Sequence, residues 1–221
     1  MKKLLMLLVL WIPLINSNCS DKPIEKLAEC TESNTVKFPK DALAIFYFKD
    51  SSYWVYKDSI TGDRDSAWVT KSTDEARNSF RDVNLKNKCY QMLQVHLNNS
   101  NGETNRIILT PNSVNDNINN PFDNEFFIID FDYSQLNFQP VFRFFIRGTK
   151  YDTINEEGGH ISVITGYDFK GKTLDNVLLV ENPLSNFDIY SKVWYAKSLG
   201  MIKYKLKNGR VWELTNYKIK Q

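Results

Sequence analysis

The chain has 221 residues, of which 42% are hydrophobic, 14% aromatic and 24% charged. This composition excludes a disordered chain, and the length is sufficient for one sizeable hydrophobic core. Its 28 basic residues include Lys2 and Lys3, and without these two the chain carries equal numbers of basic and acidic side chains. A neutral chain without basic runs argues against a nucleic-acid partner.

Residues 1–18 have the features of a secretory signal. Lys2 and Lys3 precede the apolar run Leu4–Ile15, which is shorter than the roughly 20 residues needed to span a bilayer. A short apolar run after a positive segment is typical of a signal peptide. Cys19 follows directly, and a thiol at this place can be diacylated and become the new N-terminus. Several acyl chains together hold a protein firmly on a membrane.

Two interpretations of Cys19 are open. In the first, Cys19 carries a lipid anchor and the protein is attached to the outer membrane of a bacterial cell envelope, in the periplasm or on the surface. In the second, ordinary cleavage leaves Cys19 as a free thiol. The sequence favours the anchor, although it departs from the strict lipobox, which prefers Leu where this chain has Asn16. Residues 19–36 would then form a tether, and residues 37–221 a single antiparallel β domain.

Cys30 and Cys89 remain once Cys19 is assigned to lipid. An even pair of cysteines in an oxidising compartment favours a disulfide, which would fasten the tether to the strand that begins at Cys89. Two reduced, buried thiols are the alternative, because spacing alone does not show that the pair meets. Two separated cysteines and two histidines are too few ligands to predict a metal site, and no cofactor is expected.

From Phe38 onward, short apolar or alternating segments are separated by Asn, Asp, Gly, Ser and Pro, which is typical of strands. Strands at this spacing pair antiparallel. We therefore expect a mainly β protein, either a sandwich or a curved, partly closed sheet, with one or two short helices. The predicted strands are Leu43–Phe48, Tyr53–Lys57, Ser66–Thr70, Cys89–Leu97, Arg106–Thr110, Glu125–Tyr133, Val141–Arg147, His160–Tyr167, Val177–Val180, Ile189–Ala196, Gly200–Leu206 and Arg210–Ile219.

One segment, Ser72–Asp82, is predicted to be a helix. Ser72 and Glu75 have the spacing of a capping box, and Asp74 lies in the first turn, where a carboxylate favours the helix dipole. The segment has few apolar residues, so we expect this helix on the surface of the domain.

Two stretches resemble uncharacterised lipoproteins of the Bacteroidota. The first is F-K-D-S-S-Y-W-V-Y-K-D-S-I-T-G-D-R-D-S-A-W-V-T, residues 48–70, and the second is Y-A-K-S-L-G-M-I-K-Y-K-L-K-N-G-R-V-W-E-L-T-N-Y-K-I, residues 195–219. The resemblance implies a secreted, lipid-anchored β domain of unknown activity, and it brings no catalytic residues. Aromatic side chains in and beside these stretches are expected in the core or in cross-strand pairs: Trp54, Tyr56, Trp68, Trp194 and Trp212.

The candidate sites in the sequence are weak. Glu156-Glu157-Gly158-Gly159-His160 is the densest polar cluster, and a Glu–His pair can do acid–base work, but the glycines favour a hairpin turn before a strand. His96 is expected to be solvated on the polar face of its strand. The Asn-rich segment Pro111–Glu125 is predicted to be a long loop, where we expect any partner to bind.

Three functions therefore remain open. The first is a non-catalytic lipoprotein whose β domain binds a protein, glycan or apolar ligand at the envelope, or has a structural role. The second is an envelope hydrolase or metal-dependent enzyme that uses Glu156, Glu157 and His160. The third is a carrier of lipid or another apolar ligand, which needs a curved sheet around an apolar cavity. The sequence favours the first, because no established catalytic motif is present.

Overall fold

A computed structural model gives the fold. It describes residues 29–38, 40–78, 89–100, 104–111, 126–132, 142–147, 150–153, 160–181 and 190–221. The elements within these residues are, in chain order, β1 (Thr35–Val36), α1 (Lys40–Phe46), β2 (Tyr53–Asp58), β3 (Arg64–Asn78), β4 (Cys89–Asn99), β5 (Thr104–Pro111), β6 (Phe126–Asp132), β7 (Phe142–Arg147), β8 (Lys150–Thr153), β9 (His160–Ile164), β10 (Tyr167–Phe169), β11 (Lys172–Leu174), β12 (Val177–Glu181), β13 (Tyr190–Ala196), β14 (Gly200–Leu206) and β15 (Val211–Lys218).

Most of these strands belong to one curled sheet. Within the described residues, the sheet has thirteen strands, and its main path runs β8-β7-β6-β5-β4-β3-β2-β15-β14-β13-β12-β9. Neighbours along this path are antiparallel, whereas β1 pairs in parallel with the start of β4. Strands β10 and β11 form a separate two-stranded hairpin. The prediction of a mainly β protein is confirmed, in its curved-sheet form.

Two strands join distant parts of the chain in the middle of the sheet. β15 lies between β2 and β14, so Leu214 pairs with Tyr56. β3 is 15 residues long, and its first part pairs with β2 while most of its length pairs with β4. The long strand therefore connects the two halves of the sheet.

The prediction of a strand at Leu43–Phe48 is wrong, because Lys40–Phe46 forms helix α1. The buried residues of this helix are Ala42, Ile45 and Phe46, and spacings of three and four residues place them on one helical face. A short apolar run is compatible with a strand or a helix, and here packing against the sheet selects the helix. Among the helices of the described residues, none is long and apolar enough to span a membrane.

The prediction of a helix at Ser72–Asp82 is wrong over its described part. Residues 72–78 continue β3 and pair residue by residue with β4. The neighbouring strand offers a row of backbone hydrogen-bonding partners, and this tertiary contact outweighs a local capping signal.

The central strands bury one face of the sheet, which we call the inner face. On β2, Trp54, Tyr56 and Asp58 are buried and alternate with residues of the opposite, outer face, where Lys57 is exposed. Helix α1 covers one end of the inner face, which we call the helix end. There the ring of Phe48 packs edge-on against Trp54, with centroids 4.9 Å apart.

The opposite end of the sheet is formed by turns, and we call it the turn end. It contains the β2–β3 turn at residues 59–63 and the β14–β15 turn at residues 207–210. The two turns lie side by side, because the Ser59 amide donates a hydrogen bond to the Val211 carbonyl at 2.9 Å. Ser100 lies beside them, and its amide donates to the Ser66 carbonyl at 2.8 Å.

Candidate functional site

Residues 29–36 are bonded to the sheet at the helix end. Cys30 and Cys89 form a disulfide, with their Cα atoms 5.6 Å apart. β1 continues this attachment, since it pairs with the first two residues of β4 and the Cys89 amide donates to the Asn34 carbonyl at 2.8 Å. Residues 29–36, expected to belong to the tether, are therefore fixed to the sheet.

β1 pairs with a part of β4 that β5 does not reach. β3 occupies one edge of β4 along its whole length, while β5 pairs with the other edge only over Leu93–Asn98. β1 pairs with Cys89 and Tyr90, which lie on the same edge of β4 beyond the end of β5. The buried Phe38 follows, and its amide donates to Gln91 Oε1 at 3.0 Å. The N-terminal segment thus reaches the domain at the helix end.

Asp58 is the centre of a polar network at the turn end. Its buried carboxylate accepts hydrogen bonds from the amides of Ile60 and Thr61, at 2.7 and 3.0 Å, and from Arg210 Nε at 2.6 Å. The Thr61 amide is the largest cause that lowers the pKa of Asp58 to about 2, and Arg210 adds to it, whereas burial opposes both. Arg210 also contacts Asp63 at 2.8 Å. The network therefore joins the two turns.

A group of aromatic rings lies on the inner face beside this network. Tyr204 packs edge-on against Tyr56 and Tyr190, with centroids 5.2 and 5.3 Å apart, and stacks on Trp212 at 6.0 Å. The Tyr204 hydroxyl donates to Asp65 at 3.0 Å. Burial, followed by the charge of Asp65, raises the pKa of Tyr204, and burial raises the pKa of Tyr56. Both phenols therefore remain neutral hydrogen-bond donors in the folded protein.

Asp65, Arg210 and Trp212 have further surroundings in this region. Asp65 also accepts a hydrogen bond from the Ser100 hydroxyl at 2.7 Å. The Arg210 guanidinium lies 4.9 Å from the centre of the Trp212 ring. In the described part of the chain, Trp212 Nε1 is buried without a hydrogen-bond partner. Over the same residues, no group of three His, Cys, Asp or Glu side chains is placed to hold a metal ion.

The predicted polar cluster is only partly described by the structure. Glu156 and Glu157 lie outside the described residues. His160 is the exposed first residue of β9 and stands opposite Glu181 of β12. Glu181 itself forms an ion pair with Lys192. At this position, the described residues therefore bring together His160 and Glu181, and the carboxylate of Glu181 is already paired with Lys192.

The structure does not bring His96 and His160 together. His96 is half-buried on β4, several strands away from His160 on β9 along the sheet. Cys19 and residues 112–125 of the predicted loop lie outside the described residues. No candidate catalytic or metal site in the sequence included Asp58 or Arg210, although the alternation in Y-W-V-Y-K-D places Asp58 on the same face as Tyr56.

Comparison with known proteins identifies no relative. No protein-family model, no curated protein and no solved structure matches this chain. The resemblance to lipoproteins of the Bacteroidota therefore remains a prediction from residues 48–70 and 195–219.

Proposed function

We propose that this chain is a lipid-anchored protein of a bacterial cell envelope whose antiparallel β domain binds a partner. The observation that carries the proposal is the order of features at the start of the sequence, a positive segment, a short apolar run and then Cys19. Acyl chains on Cys19 would attach the protein to the outer membrane, in the periplasm or on the surface.

The disulfide between Cys30 and Cys89 supports this placement. Disulfides form and persist in secreted and envelope proteins and are rare in the cytosol. Together with β1, the disulfide fixes the segment that follows Cys19 directly to a strand inside the main sheet. A pull on the anchor would therefore act on the sheet and not on a peripheral loop.

We propose binding as the role because the carboxylates of Asp58 and Asp65 on the inner face are already engaged. The carboxylate of Asp58 is bonded to Arg210, and that of Asp65 to Tyr204 and Ser100. A general acid or base must reach the substrate with its proton, whereas these carboxylates contact other parts of the chain. The exposed side chains of the outer face are the ones that a partner could contact.

Acyl labelling in a bacterial host tests the anchor. We expect the wild-type chain to incorporate labelled fatty acid and to fractionate with membranes, and the Cys19→Ala variant to lose both properties. Cys30→Ala is the matched control, because it removes a different cysteine and should keep the label. Label on Cys19→Ala, or none on the wild type, would refute the proposal. Protease treatment of whole cells then separates a surface position from a periplasmic one.

A further inference from the structure

The outer face of β2 and β3 carries an aromatic pair. Tyr53 on β2 and Trp68 on β3 are direct cross-strand partners, and the Trp68 side chain is 38% exposed. Both lie on the outer face, because the residues next to them, Trp54 and Val69, are buried. Partners of this kind have Cβ atoms roughly 4.5–5.5 Å apart, so the two side chains are direct neighbours on this face.

Exposed cations lie on both sides of this aromatic pair. Lys57 and Arg64 are cross-strand partners nearer the turn end. Lys218 on β15 lies opposite Tyr53, and Lys71 follows Trp68 on β3 beyond a β-bulge. The aromatic pair and these cations make up what we call the outer strip, whose six residues are Tyr53, Lys57, Arg64, Trp68, Lys71 and Lys218.

The cations of the outer strip are not neutralised by the fold. In the described part of the chain, none of the four forms an ion pair with an acidic side chain. Lys57 and Arg64 lie directly opposite each other, and like charges in that arrangement are destabilising. Glu213 lies on the other side of Lys57 but is bonded to Lys203 at 2.7 Å. Three positive charges and one negative charge therefore lie side by side across the strands, in the order Lys203, Glu213, Lys57 and Arg64.

The outer strip is long and narrow. Residues on one face follow each other at roughly 6.7 Å along a strand, so the Lys57–Arg64 pair lies roughly 13 Å from the aromatic pair and Lys71 about 10 Å beyond it. The β10–β11 hairpin reaches the β15 side of the strip, where Lys170 Nζ donates to the Thr215 carbonyl at 2.6 Å. This shape suits a linear polymer better than a small ion.

We propose that the outer strip binds an anionic polysaccharide. The ring faces of Trp68 and Tyr53 offer a flat apolar surface on which the C–H faces of sugar rings can stack, and their polar edges can bond to hydroxyl groups. The cations at either end would pair with carboxylate, sulfate or phosphate groups along the polymer. The choice of a polysaccharide rests on the envelope placement proposed above, because carbohydrate polymers surround a bacterial cell.

A phospholipid surface is the main competing occupant, and the geometry favours it less. Trp and Tyr bind a bilayer by inserting their rings among the headgroups. Tyr53 is half-buried and Trp68 is 38% exposed, and both side chains start from paired strands in the body of the sheet and not from a protruding loop. The cations are spaced along the strand direction, as charges are along a linear polymer.

The test is a binding measurement with the purified full chain immobilised on a sensor surface through a C-terminal tag, in a neutral detergent. The probes are polygalacturonate, a carboxylated polysaccharide, and neutral dextran. We expect Lys57→Gln/Arg64→Gln and Trp68→Ala each to weaken polygalacturonate binding by about tenfold. The matched control is Lys40→Gln/Lys207→Gln, which removes the same charge at exposed positions outside the strip and should change binding by less than about twofold. Added salt should weaken the binding, and dextran should not bind.

Circular dichroism and the thermal midpoint establish that each variant is folded. Equal weakening by the control pair would mean non-specific charge attraction and would overturn the proposal, as would absence of polygalacturonate binding to the wild type. Binding of phosphatidylglycerol vesicles through the strip, without polygalacturonate binding, would assign the surface to a membrane instead. The measurement uses purified protein and does not depend on acylation, so its failure is distinct from a failure of the Cys19 labelling experiment.

Discussion

Arg210 Nε donates a hydrogen bond to Asp58 Oδ2 at 2.6 Å, across 152 residues of sequence. Together with two backbone amides, this bond lowers the pKa of Asp58 from an ordinary 3.8 to about 2. A carboxyl whose pKa is lower in the folded state stabilises the fold above its unfolded pKa. The contribution of Asp58 is therefore present above about pH 4 and is lost as the pH falls towards 2.

Asp58→Asn should remove this part of the acid dependence. We expect the variant to be less stable than the wild type at neutral pH, and its free energy of unfolding to fall less between about pH 4 and pH 2. Urea unfolding at a series of pH values measures the difference. Asp63→Asn is the control, because Asp63 contacts the same arginine from an exposed position. Matching pH profiles for the two variants would show that Asp58 is not the source.

The disulfide should contribute to stability through the unfolded state. Cys30 and Cys89 are 59 residues apart. Closing a loop of that length lowers the conformational entropy of the unfolded chain, which stabilises the folded state by about 4 kcal/mol. Cys30→Ser/Cys89→Ser should lower the free energy of unfolding by about this amount. Dithiothreitol should destabilise the wild type and the Cys19→Ser control but not the double variant. A wild type that is insensitive to reductant would contradict the prediction.

Gly200 should tolerate substitution poorly. It has a φ of 74°, and a Cβ at this position would lie 2.8 Å from Phe48 Cζ. Gly166 has a similar φ of 68° with nothing within 4 Å of the added atom. Gly166→Ala should therefore cost about 1 kcal/mol, from backbone strain alone. We expect Gly200→Ala to cost roughly 1–3 kcal/mol more, because the Phe48 ring must move. Chemical denaturation measures the two losses. If both variants lose the same free energy of unfolding, the Phe48 ring moves without cost and the prediction is wrong.

Alkaline pH should destabilise the fold through its buried tyrosines. Burial raises the pKa of Tyr56 and Tyr204 above 10.0, and Asp65 adds to the effect on Tyr204. A group with a raised pKa stabilises the fold below its unfolded pKa, so this contribution is lost as the pH rises above about 10. Tyr204→Phe should have a shallower loss of stability at alkaline pH. Tyr217→Phe, at an exposed position, is the control and should follow the wild type.

The sequence predicted much of the sheet because its central strands alternate. Gly200–Leu206 is the observed β14, and its buried residues include Ile202 and Tyr204 at every second position. The apolar run at Leu43–Phe48 lacked this alternation, and only its contact with the sheet shows that α1 is a helix. Residues 72–78 are polar on both faces, so their strand conformation depends on β4, which no local signal reveals.

The polar network and the outer strip could not be predicted for a different reason. Asp58 and Arg210 meet only because β2 and β15 pair, and a shift of one residue in register would move Lys57 to the inner face. The sequence has no basic run, yet three strands bring Lys57, Arg64 and Lys218 to one surface. A neutral overall charge therefore says little about local charge once distant strands are neighbours.

The position of β15 in the middle of the sheet has a consequence for when the domain can fold. Thr215 Oγ1 donates to the Val55 carbonyl across 160 residues, and neighbouring pairings between β2 and β15 span similar distances. Contacts this distant form slowly, because a long loop must close before they are made. During synthesis, β2 can pair with β3 early, but it must wait for β15 until nearly the whole domain has been made. If the chain is exported as proposed above, this connectivity would delay folding and would keep the chain competent for translocation.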